Sequence, residues 1–191
     1  MTRRSLRHPH QPYRQIVKHW PAPGRLLSVG THRLHLHCMG QGTPAMVLES
    51  GMSGWSQDWA WVQARLAQGG QVCSYDRAGY GWSDPAPAPR DGLAAVDDLR
   101  RTLDTAGVAT PRLLVGHSMG GLLIGLYARA YPREVAGLAF RRNQHSIAQE
   151  AGVQATALPG SGHYLHIDQP DAVAHALDAW REQARHRAAS R

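Results

Sequence analysis

Residues 113–121 read Leu-Leu-Val-Gly-His-Ser-Met-Gly-Gly, and no other stretch of the 191-residue chain narrows its possible folds as far. An apolar run of strand character, 112–115, leads into Gly116-His117-Ser118-Met119-Gly120, and an apolar segment of helical character, 119–130, leads out before Pro132. A chain that passes from strand to helix in so few residues must turn sharply. Glycines two before and two after the serine remove side chains that the turn would drive together. The turn lifts the Ser118 hydroxyl above the sheet. It also aims N–H groups of the helix N-terminus at the point where negative charge would develop. The competing reading is a tight turn without chemistry.

The rest of the chain fits an α/β pattern. Residues 25–29 and 32–38 are strand-like runs separated by Gly30-Thr31, a hairpin signal. Residues 45–49 read as a short apolar strand, 59–67 as a helix ended by Gly69-Gly70, and 71–75 as a strand. Apolar residues at 93, 96, 99 and 103 set a helix over 93–106, with Gly107 as its cap. Strands are expected at 135–140 and 153–158, and helices at 143–151 and 170–187. Strands alternating with helices after an opening hairpin imply a sheet that is parallel in its second part, with ligands at the carboxyl ends of its strands. Residues 1–24 read as a basic arm closed by Pro21-Ala22-Pro23-Gly24, and 25–187 as one domain.

Charge supports no nucleic-acid reading. The net charge of +7 comes from the first 48 residues, which hold seven Lys or Arg and no acid, whereas the middle of the chain is nearly neutral. No nucleic-acid-binding motif accompanies it. No apolar run reaches the length of a membrane span, and no signal-like h-region opens the chain, so a cytoplasmic location is expected. The scattered histidines His8, His10, His32, His35 and His37 lack a supporting set of carboxylates or cysteines, and no metal is expected. Cys38 and Cys73, each in a strand-like run, are expected to be buried free thiols.

Six blocks in one order carry a resemblance. They are Pro23-Gly24-Arg25 with Leu34-His35-Leu36, Glu49-Ser50-Gly51, Tyr75-Asp76-Arg77-Ala78-Gly79-Tyr80-Gly81-Trp82-Ser83-Asp84, Gly116-His117-Ser118-Met119-Gly120, and Gly160-Ser161-Gly162-His163-Tyr164. Over residues 23–180 the sequence resembles the bacterial α/β-hydrolases. The resemblance implies a three-layer sandwich with a mostly parallel sheet and an antiparallel N-terminal hairpin. It implies Ser118 as nucleophile, His163 as general base, and the backbone N–H groups of Met52 and Met119 as the oxyanion hole. It further implies a small ester-like substrate and no cofactor. A serine hydroxyl is a weak nucleophile at neutral pH, so an imidazole must accept its proton and return it to the leaving group. The segment Asp76 to Asp84 reads as a packed turn anchored by Tyr80 and Trp82.

The family pattern then breaks. Its order is Ser, then Asp or Glu, then His. Between Ser118 and His163 stand two carboxylates, Glu134 and Glu150. Glu134 opens its strand and Glu150 precedes the last one, both at the edge away from Ser118. Arg141 and Arg142 stand where the acid belongs. Asp168, before Pro170, reads as a helix N-cap. The sequence therefore implies a fold without cap, one strand and catalytic acid, with 153–158 pairing directly beside 135–140. A degenerate, non-catalytic α/β-hydrolase-like binding module or deletion product is the alternative reading.

Overall fold

The computed structural model describes residues 20–141, 155–158 and 163–190. Residues 1–19 of the expected arm, the helix at 143–151, Glu150, Arg142 and the loop at 159–162 lie outside the described residues. Seven strands form one sheet: β1 (Arg25–Ser28), β2 (Arg33–Met39), β3 (Met46–Glu49), β4 (Val72–Tyr75), β5 (Arg112–Gly116), β6 (Val135–Arg141) and β7 (Ala155–Leu158). Their order is β1-β2-β4-β3-β5-β6-β7. β1 and β2 pair antiparallel, as do β2 and β4, and every later pairing is parallel. The helices are α1 (Ala60–Leu66), α2 (Gly92–Thr105), α3 (Met119–Ala130), α4 (Leu165–Asp168) and α5 (Pro170–Ala189).

The central strands β3, β4 and β5 are buried at every position because helices cover both faces of the sheet. Alternate residues feed opposite cores. Val47 and Leu114 pack with Val96, Leu99 and Leu103 of α2 and Ile124 and Tyr127 of α3. Met46, Leu48, Leu113 and Val115 pack with Val62 and Leu66 of α1 and Val173, Leu177 and Trp180 of α5. The helical spacing at 96, 99 and 103 thus marks the buried stripe of α2. Asp91 caps that helix by accepting from the Ala94 N–H at 2.9 Å. At its far end Gly107 takes φ +72, with its N–H on the Asp104 carbonyl at 3.0 Å.

Register makes the site's floor level. Glu49 lies opposite Gly116, and Gly116 opposite Phe140, so β3, β5 and β6 end together. The last strand pairs directly with β6, Leu138 against Ala155 through Arg141 against Leu158.

Two expectations are corrected. Cys38 and Cys73 are not free thiols: they stand directly opposite each other across β2 and β4 and form a disulfide. Their Cα atoms are 4.0 Å apart, the narrow spacing of a non-hydrogen-bonded antiparallel pair, where side chains meet. Asp168 is not the N-cap of the final helix. It closes α4, and Gln169 takes the cap position without a side-chain hydrogen bond, because the chain leaves one short helix directly for the next.

Candidate active site

Ser118 has φ 51° and ψ −121°, in a region that non-glycine residues rarely adopt. Such a conformation persists only where its surroundings enforce it. The His117 N–H donates to the Glu49 carbonyl at 3.0 Å, the Gly120 N–H to the His117 carbonyl at 2.8 Å, and the Gly121 N–H to the Ser118 carbonyl at 2.9 Å. The glycine spacing has a steric cause. A Cβ on Gly116 would lie 2.6 Å from Gly121 Cα, and one on Gly120 would meet the Glu49 carbonyl oxygen and lie 2.7 Å from that of Ser50. Strand β3 and helix α3 therefore close on each other beneath the serine.

The loop after β3 lies against this turn. A Cβ on Gly51 would sit 2.8 Å from His117 Nδ1 and 3.3 Å from Ser118 Cβ. Met52 follows and is exposed. A buried charged group anchors the loop. Arg77 donates through Nη1 to the Glu49 carboxylate and, at 2.7 Å, to the Ser50 carbonyl; through Nη2 it donates to the Gly51 carbonyl and, at 3.5 Å, to that of Gly54. The Tyr75 hydroxyl also donates to Glu49. Burial raises the Glu49 carboxyl above its ordinary range, with Arg77 and Tyr75 opposing the rise.

Asp76 ties the next turn down. It accepts from the Ser56 N–H at 2.8 Å and the Trp82 N–H at 2.9 Å, and His35 Nδ1 lies 3.0 Å from it. Trp82 stacks on Trp55, and the Arg77 guanidinium sits over the Tyr80 ring. The 76–84 segment is thus a packed turn supporting the loop above it.

His163 lies just beyond β7, at the same edge of the sheet as Ser118. Its ring packs edge-on against that of His117, 4.9 Å between centroids, and its carbonyl accepts a 2.7 Å hydrogen bond from His117 Nε2. A carbonyl only accepts, so His117 carries its proton on Nε2. His166, one helical turn further, is buried between Trp59 and His117, each 4.4 Å away ring to ring. Burial, with the neighbouring His117 and His163, pushes its pKa down to about 3, so it stays neutral. Sequence reasoning passed over His117 and His166. The available signals were a histidine inside the elbow and an i, i+3 histidine pair at 163 and 166.

The carboxylates stand apart. Glu134 lies at the opposite edge, bound to Arg100, Arg112 and the Tyr127 hydroxyl. Asp168 is exposed, and among the described residues no carboxylate pairs with His163. Among the described residues no group of three His, Cys, Asp or Glu is arranged to hold a metal ion. No helix among them is long and apolar enough to cross a membrane.

A tight strand-to-helix turn carrying a serine at the carboxyl edge of a mostly parallel sheet, with a histidine just beyond the last strand at the same edge, is the plan of an α/β-hydrolase. The family profile described as alpha/beta hydrolase fold matches residues 44–170, and the chain belongs to that family. It is 39% identical over 100 residues to RutD of Cronobacter turicensis, named as a carbamate hydrolase, covering 51% of this chain and 36% of that protein. It is 30% identical over 145 residues to human epoxide hydrolase 4, covering 68% of this chain and 40% of that protein. Among solved structures, VinJ matches at TM-score 0.56 and 27% identity over 63% of this chain and 44% of its own. A meta-cleavage product hydrolase, CumD, shares the fold at TM-score 0.57 and 22% identity, over 63% of this chain and 45% of its own. The chain spans less than half the length of these relatives.

Proposed function

We propose that the chain is a serine hydrolase acting on a carboxylic ester or similar acyl compound, weakened because no catalytic acid stands beside His163 among the described residues. The observation that carries this reading is the enforced Ser118 conformation beside Gly51, with His163 at the same edge. In this reading the Ser118 oxygen attacks the acyl carbonyl while His163 accepts its proton. The Met52 and Met119 N–H groups hold the oxyanion. His163 returns the proton to the departing alcohol, and water, activated by the same imidazole, releases the acid from the acyl-serine. A carbamate, the compound class in the name of the RutD relative, presents the same carbonyl to the same machinery. No cofactor is required.

Loss of the acid from a Ser-His-Asp set costs on the order of 10⁴ in turnover, while the oxyanion hole and substrate binding persist. The proposal is therefore of slow hydrolysis. The test uses p-nitrophenyl acetate with the parent and Ser118→Ala. Slow turnover abolished by the substitution supports the reading; an unchanged rate removes it. The absence of a carboxylate on His163 among the described residues favours a second reading, a non-catalytic binding module. A fluorophosphonate probe separates the two, since only an activated serine is labelled.

A further inference from the structure

The Arg77 guanidinium donates to three carbonyls of the loop beside Ser118. It is buried, with 7% of its surface exposed, and gathers the carbonyls of Ser50, Gly51 and Gly54 as well as the Glu49 carboxylate. Three carbonyls drawn to one cation fix three peptide planes. Gly51–Met52 is not among the cis peptide bonds of the described residues, so this peptide is trans. In a trans peptide the C=O and the following N–H point in opposite directions. A Gly51 carbonyl turned toward Arg77 therefore turns the Met52 N–H away from Arg77. Gly51 borders the serine, since a Cβ added to it would lie 3.3 Å from Ser118 Cβ.

We infer that Arg77, held by Glu49, is a positioning residue that sets the direction of the Met52 N–H as an oxyanion donor. This rests on the Ser118 hydrolase reading. Two features make the device stiff. Glu49 ends β3 opposite Gly116, so the anion holding Arg77 is fixed to the sheet that carries Ser118. The Gly51 carbonyl also accepts from the Gly54 N–H at 3.2 Å, which closes the loop into a turn. A cation on the carbonyl end of a peptide also strengthens the hydrogen bond that its N–H end gives. Arg suits the role because its planar fork reaches several acceptors at once, which a lysine ammonium does not.

Removing Arg77 alone would strand the buried Glu49 charge, so the variant is the neutral pair Arg77→Met with Glu49→Gln, and Arg77→Lys is made beside it. Losing one oxyanion donor costs about 10²–10³ in kcat, and misdirecting one costs part of that. Both variants should lower kcat on p-nitrophenyl acetate at least tenfold, with KM within threefold of the parent. Met52→Pro, which deletes the N–H, should add little to the loss in the double variant, because both changes remove one interaction. The catalysis-independent arm is the ¹H–¹⁵N resonance of Met52, which should move in both variants while core resonances of β5 stay in place. A Ser118-dependent kcat that is unchanged in the variants overturns the inference, as does an unmoved Met52 resonance. If the parent shows no Ser118-dependent turnover, the hydrolase reading fails, and the Met52 resonance alone decides whether Arg77 directs that peptide.

Discussion

Opening the Cys38–Cys73 bond should cost the fold a large part of its stability. The two residues are 35 apart in sequence. Closing a loop of that length in the unfolded chain removes about 13 cal/mol/K of entropy, or about 4 kcal/mol at 25 °C. A domain of this kind has a total stability of about 5–15 kcal/mol. The bond also sits where pairing is short. The hairpin β1–β2 joins the parallel sheet through four residue pairs, Leu36 with Tyr75 to Met39 with Val72. Gln63 reinforces them by donating to the His37 and Val72 carbonyls at 2.8 and 3.1 Å. The perturbation is Cys38→Ala with Cys73→Ala, compared with the oxidised and the dithiothreitol-reduced parent. The melting temperature should fall by about 8–15 °C in both, and the urea midpoint should fall with little change in slope. Oxidised and reduced parent melting within 2 °C of each other, with mass spectrometry confirming the two redox states, would refute the loop-closure reasoning. The gain exists only where the bond stays oxidised, and disulfides persist mainly in oxidising compartments.

Three further outcomes are expected. Gly120→Ala should abolish fluorophosphonate labelling and lower stability by about 1–3 kcal/mol, since the added methyl meets the Glu49 and Ser50 carbonyls; normal labelling would show that the elbow has slack. His166 binds its proton near pH 6.5 when unfolded and near pH 3 when folded, so the unfolded state holds more protons between these values. Stability is then fully present above pH 6.5 and falls as the pH drops toward 3, by up to about 5 kcal/mol, and His166→Phe should flatten that part of a urea-denaturation profile. Asp168→Asn should change ester turnover less than about tenfold, whereas a hundredfold loss would make it the relocated acid.

Much of the scaffold is legible in the residue order because its signals are local. Val96, Leu99 and Leu103 mark one stripe of a helix, Gly30 a hairpin, and Gly116 and Gly120 the space that a strand-to-helix turn needs. The direct pairing of β7 with β6 also follows from sequence, since so short a stretch separates residue 140 from 153. What the tertiary structure decided involves partners far apart in the chain. Cys38 faces Cys73 only because β2 pairs with β4 in one particular register, and a slip of one residue would turn the two side chains to opposite faces. Asp168 reads as a cap before a proline, but the short helix α4 ahead of it moves the cap to Gln169. Arg77 reads as part of a turn, and its hold on the Ser50, Gly51 and Gly54 carbonyls exists only once β3 and β4 lie side by side. His117 and His166 become neighbours through the return of the chain after β7, 49 positions along, a closeness that no local pattern encodes. Local sterics and periodicity are written in adjacent residues, whereas register and long-range contact emerge from burying both faces of one sheet at once.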